Sequence, residues 1–191
     1  LRGVRPLPSG DRCLWDAGQR GDGAVDVSRA RGTARQFSDQ RTLYAREGGP
    51  SLDVVGDEAF VHALDAKVTF DDNAVYVSFR VWESEPDKLI AKEMRRDSAN
   101  ITQNDSVAFV LDTFNDRRNG VIFTMTPIGG RMDGQISNES NYNGDWNPVW
   151  DLAVGRFEGG WVAEAAVPFK SLRYAVGAPV WGFNARRISR W

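Results

Sequence analysis

The chain has 191 residues, 41% of them hydrophobic and 11% aromatic, with 24 lysines and arginines against 26 aspartates and glutamates. That length buries a full core in one domain without staples, and a formal net charge of −2 with dispersed basic residues leaves no electrostatic footprint for nucleic acid. No apolar run approaches the roughly 20 residues that span a bilayer as a helix, and the single cysteine, Cys13, leaves the redox compartment open.

Residues 1–50 read as an irregular lead-in, rich in arginine and glycine, with no lysine and no sustained periodicity. Within it, Cys13-Leu14-Trp15 has the apolar character of an edge strand. The opening at Leu1, without a signal-peptide pattern, and the strand-like close at Trp191 read as the ends of a fragment of a longer protein. Residues 51–191 form the second unit. From Leu64 apolar and polar residues alternate, the mark of half-buried strands. Strands at 64–70 and 74–82 flank Asp71-Asp72-Asn73, turn residues that favour a tight hairpin. In the second strand Val75, Val77, Phe79 and Val81 share one face, and Tyr76, Ser78, Arg80 and Trp82 share the other. Ser84-Glu85-Pro86-Asp87 supplies a cap and an early proline for a short helix over 88–94. Strands follow at 105–113, 120–126 and 131–137, then a hairpin of 150–156 with 161–167, and a last strand over 180–189. Such short strands with regularly spaced turns predict an all-β fold, an antiparallel β-sandwich of jelly-roll-like form with one short helix.

Residues 138–150, NESNYNGDWNPVW, interleave aromatic rings with amides and carboxylates between two strands. That mixture suits a sugar, whose C–H faces stack on rings and whose hydroxyls need planar donors and acceptors. Trp146 lies in the polar part of this loop and reads as a stacking platform, with a loop anchor as the alternative. Trp82, on the polar face of its strand, is the expected second ring, and Tyr142 a further wall. Trp150 alternates with Leu152 and Val154, so core and site are equally open to it. Trp161 and Trp181 alternate with apolar residues and read as core. For the hydroxyls the candidates are Asn138, Asn141, Asn143, Asp145, Asp133 and Arg118, against a plainer reading as solvated loop residues. Asp133 and Gln135 alternate with Met132, Gly134 and Ile136, which places them on the polar face of their strand.

From about Leu64 onward the chain resembles the family 9 carbohydrate-binding modules, particularly a divergent branch at the front of bacterial envelope proteins with a predicted outer-membrane barrel. The segments that carry this are DDNAVYVSFRVWE, RRDSANITQNDSVAFVLDTFNDRRNGVIFTMTPIGGRMD, the Trp loop, GGWVAEAAVPFKSL and WGFNARRISRW, in that order. The resemblance implies a jelly-roll-like sandwich that binds a polysaccharide or oligosaccharide without catalysis. It implies a monomeric module of a carbohydrate-degrading or envelope protein, periplasmic, cell-surface or secreted, with no cofactor required. Modules of this kind often carry structural calcium, for which Asp112, Asn115 and Asp116 are the candidate ligands; their spacing matches no EF-hand, and an Asx-type turn is the competing reading. The N-terminal strand departs from the pattern, since only residues 11–15 resemble it.

Other chemistries find little support. His62 is the sole histidine, and no nucleophile elbow, P-loop or dinucleotide fingerprint is present. With 26 acidic residues some carboxylate pair always exists, so a pair alone does not indicate a glycosidase. A structural interaction domain without glycan affinity is the main alternative. A haem-binding redox subunit is a remote one, and would need Met94, Met125 or Met132 as an axial ligand; Met125 reads as core.

Overall fold

A computed structural model describes residues 44–46, 52–55, 64–175 and 180–190. Cys13, Trp15, His62 and Trp191 lie outside the described residues, as does the lead-in apart from one short strand. Among the described residues there are eleven strands: β1 (Tyr44–Arg46), β2 (Leu52–Val55), β3 (Leu64–Phe70), β4 (Ala74–Trp82), β5 (Ser106–Asp112), β6 (Gly120–Met125), β7 (Arg131–Ser137), β8 (Asn141–Asn143), β9 (Asp151–Phe157), β10 (Gly160–Pro168) and β11 (Gly182–Ile188). They form two antiparallel sheets, a six-stranded one in the order β1-β2-β3-β4-β10-β9 and a five-stranded one in the order β11-β5-β6-β7-β8. The expected β-sandwich is therefore the fold. No described helix is long and apolar enough to cross a membrane.

Alternation decides which side chains meet between the sheets. Val75, Val77, Phe79 and Val81 of β4 and Trp161, Ala163, Ala165 and Val167 of β10 are buried in one layer. Val107, Phe109 and Leu111 of β5 and Val121, Phe123 and Met125 of β6 form the other. Phe79 and Phe109 meet with ring centroids 6.3 Å apart, and Phe109 stacks on Phe123 at 5.0 Å. Each such side chain contributes about 1.5–3 kcal/mol by leaving water. Trp181 is half-buried, clustered with Phe169 and Tyr174 at 5.9 and 5.5 Å, and packed against this core.

A polar strut also joins the sheets. Glu83, just after β4, accepts the Trp161 indole N–H at 3.1 Å and pairs with Arg187 of β11 at 2.7 Å, while Arg187 also donates to the Trp82 carbonyl at 3.0 Å. Burial lowers the Arg187 pKa, against the pull of Glu83.

The helix expected over 88–94 is absent. Pro86–Lys88 makes a single 3-10 turn, and the chain then runs extended along the residues that precede β5. Side chains from a distant segment take its amide groups. Asp105 accepts Ile90 N–H at 2.6 Å, and Asn104 accepts those of Lys92 and Glu93 at 2.5 and 3.2 Å. These bonds replace the ladder a helix would have made. Two further 3-10 segments among the described residues are Ala99–Gln103, of five residues, and Phe169–Ser171, of three.

Candidate functional site

Strands β7 and β8 set the geometry of the region read as a sugar site. Asp133 pairs in register with Phe123, and Gln135 with Val121, so both side chains face the interior and not the outer face expected for them. Asp133 is 1% exposed and Trp150 1%. The Asp133 carboxylate accepts the Trp150 indole N–H at 2.8 Å and the Arg96 guanidinium at 2.7 Å. Arg96 also donates to the Pro148 carbonyl at 2.7 Å, and Arg131 to that of Trp150 at 2.8 Å. Burial raises the Asp133 pKa, outweighing the two donors that lower it. Asp133 and Trp150 thus hold the 146–150 loop from inside. Trp150 stands edge-on to Phe123 at 5.1 Å, which assigns it to the core.

Trp146 is half-buried, also edge-on to Phe123, at 5.8 Å. Its position is that of the loop anchor. Of the three rings in this segment Tyr142 is the exposed one, at 54%. It pairs in register with Ile136, on the outer face of the five-stranded sheet, and its hydroxyl donates to the Asp133 carbonyl at 3.1 Å. The ring lies across Gly134, where any Cβ would come within 2.4–2.7 Å of the ring carbons and hydroxyl. Glycine therefore lets an aromatic ring lie against the sheet. Burial, then the charges of Asp97 and Asp133, raise the phenol pKa, so the hydroxyl remains protonated at neutral pH. The same outer face continues through Ile122 and Val110 to Asn184 of β11, while Arg186 lies in the next row, across from Ala108 and Thr124, both of which are buried. The sequence reading passed over Asn184 and Arg186, although their alternation with Phe183 and Ala185 points them outward.

The remaining polar candidates gather at one end of this sheet. The Arg118 guanidinium donates to the Asn138 side chain at 3.5 Å and lies 3.7 Å from Glu139, where the β5–β6 loop meets the β7–β8 turn. Asn138 and Glu139 both have positive φ, 50° and 73°. Asn141, Asn143 and Asp145 are exposed, and Asn143 accepts the Asp145 N–H at 3.0 Å. By register Asn141 and Asn143 lie on the opposite side of β8 from Tyr142, so they border its platform without sharing its face.

Asp112 accepts the amide N–H groups of Phe114, Asp116 and Arg117 at 3.2, 3.2 and 2.7 Å. Asp116 accepts those of Arg118 and Asn119, both at 2.8 Å, and the Asn119 side chain at 2.6 Å, the bond that most lowers its pKa. Calcium wants six to eight oxygens. The Asp112 and Asp116 carboxylates order the backbone of this loop, the role the Asx-type turn reading assigns them. Met125 is in the core, Met94 is 64% exposed and Met132 lies on the outer face of β7, so the methionines do not converge.

Trp82 belongs to a different surface. It occupies the outer face of the six-stranded sheet, edge-on to Phe157 at 6.1 Å, while Trp146 packs on the inner layer of the other sheet. The expected pairing of Trp82 with Trp146 in one site is not made.

Among solved structures, a protein of proposed carbohydrate-binding function from Bacteroides uniformis is similar over 74% of this chain and 77% of its own, at 11% identity and a TM-score of 0.51. The shared feature is the fold. A family 9 carbohydrate-binding module from Caldicellulosiruptor kristjanssonii in complex with cellotriose matches at 16% identity over 69% of this chain, with a TM-score of 0.48. The glucose complex of such a module from the same organism matches at 17% identity over 69% of this chain, with a TM-score of 0.42. The matches span 65% and 66% of those two chains. No family model matches the sequence, and no curated protein does.

Proposed function

We propose that this domain is a non-catalytic carbohydrate-binding module whose platform is the outer face of the five-stranded sheet. The observation that carries the reading is Tyr142, an exposed ring laid across Gly134 and tethered through its hydroxyl to the Asp133 carbonyl. A ring presented flat and fixed in advance loses little entropy when a pyranose stacks on it. Asn184 supplies a hydroxyl-binding group across the sheet, and Arg118 and Asn138 supply others at its end. Trp146 and Trp150, with Asp133, act as the support for this face. One aromatic platform on an open surface gives modest affinity, which a multidomain parent would raise by avidity. On this reading the domain works outside the cytoplasm, as part of a carbohydrate-degrading or surface protein, in keeping with its resemblance to envelope-associated modules.

The test is retention on insoluble cellulose, xylan and mannan. The domain should be held by at least one of them, and Tyr142→Ala should release it while melting near the parent temperature. No retention on any of the three would leave the interaction-domain reading in its place.

A further inference from the structure

The outer face of the six-stranded sheet carries a second aromatic group, remote from Tyr142. Gly160 of β10 pairs in register with Trp82 on one side and Phe157 on the other. A Cβ on Gly160 would come within 2.0 Å of the Val81 carbonyl oxygen and 2.6 Å of the Phe157 ring, so only glycine fits where the two rings meet across the strand. Arg80, two residues before Trp82 and on the same face, lays its guanidinium over both rings, 4.3 Å from the Phe157 centroid and 5.2 Å from that of Trp82. Its Nε is buried without a hydrogen bond, and among the described residues the guanidinium has no ion pair. The charged neighbours on this face are Asp65, opposite Arg80 across the β3–β4 pair, with Lys67 and Glu164 one row away, and all three have partners of their own.

This arrangement is unlike a structural salt bridge. Stacking on aromatic faces fixes a guanidinium by cation–π attraction and does not use its in-plane N–H donors. The fork of these donors matches the two oxygens of a carboxylate, and the uncovered part of the half-buried Trp82 ring beside it matches the C–H face of a pyranose. One chemical unit carries both features in adjacent positions, a sugar whose ring bears a carboxylate. We propose that Arg80, Trp82 and Phe157 form a binding site for uronic acid residues of an acidic polysaccharide. The site shares no residue with the Tyr142 platform, so it stands or falls separately from it.

Titration of the domain with oligogalacturonide, followed by tryptophan fluorescence and calorimetry, tests this. Binding should weaken with added salt. Arg80→Gln should weaken it at least about tenfold, and Arg80→Lys, which keeps the charge but loses the fork, by several-fold. Tyr142→Ala should leave it unchanged, and circular dichroism of each variant checks the fold. Any of these results would overturn the proposal: equal binding of a neutral galacto-oligosaccharide, displacement of the uronide by an equal concentration of inorganic phosphate, or unaltered affinity in a folded Arg80→Gln domain. Loss of uronide binding in Tyr142→Ala would also overturn it, by moving the acidic sugar to the other sheet.

Discussion

On the five-stranded sheet Tyr142 lies over Gly134 among Ile122, Ile136 and Met132; on the six-stranded sheet Trp82 and Phe157 meet across Gly160 and carry Arg80. Both faces make room for a ring by omitting a side chain from the strand beneath. They differ in what fixes the ring and in the charge beside it. Tyr142 is tethered by a hydrogen bond to its own sheet and offers an apolar plane, whereas the Trp82 group is held by ring contacts and offers a cation. The first should accept neutral sugars, the second acidic ones.

The largest expected effect lies beneath the five-stranded face, which has a buried polar anchor. Asp133→Ala strips Arg96 and the Trp150 indole of their shared acceptor, and breaking a buried pair from one side costs about 3 kcal/mol. Urea unfolding at neutral pH should show that loss, with a smaller one for Asp133→Asn, whose amide oxygen still accepts. Tyr142 bonds to the backbone of residue 133, so the folded fraction should keep its neutral-sugar affinity.

Gly134→Val tests the platform alone. Its side chain would occupy the space of the Tyr142 ring, and because β8 is a three-residue edge strand the ring gives way before the sheet does. Neutral-sugar affinity should fall at least about tenfold, or 1.4 kcal/mol. Uronide binding, measured by calorimetry on the same variant, should not move. A parallel fall in both would mean one site and not two.

Much of this was legible beforehand, and the failures share a cause. The β3–β4 hairpin is written in its own residues, with alternation on both arms and an Asx turn between, and its bounds match those expected. Alternation also separated Arg80 and Trp82 from the core side of β4. In β7 the pattern gave the parity and the wrong face. Met132, Gly134 and Ile136 are the more apolar set, yet Asp133 and Gln135 turn inward, because Trp150 and Arg96 arrive from elsewhere to satisfy Asp133. The missing helix at 88–94 has the same origin in Asn104 and Asp105. Long-range polar partners decided each case, and a local pattern holds no record of them. The platform itself was obscured because Tyr142 sits in a short polar edge strand that reads as loop, while the larger tryptophan nearby drew the assignment.

The smallest effect separates the faces by titration. Tyr76 shares the outer face of β4 with Trp82, and its hydroxyl donates to Asp71 at 2.9 Å. Asp71 also accepts the N–H groups of Asn73 and Ala74 at 2.7 and 2.9 Å, and these bonds, then that of Tyr76, hold its pKa below the ordinary 3.8. The stabilisation is therefore complete above pH 3.8 and is lost as pH falls through the lowered value. The Tyr76 phenol is raised above 10.0, first by its bond to Asp71, so its contribution is complete below pH 10.0 and is lost as pH rises through the raised value. Tyr142 is raised as well, but by burial first. Asp71→Asn should thus flatten the acid decline in stability and lower one phenol titration, leaving the other where it was. Tyr142→Phe should remove the other phenol titration without touching the acid limb. An ultraviolet phenolate titration of the two variants, alongside urea midpoints through the acid range, reads both. If Asp71→Asn shifted both phenols, the two faces would be coupled through the sandwich, and the independence of their sites would fail with it.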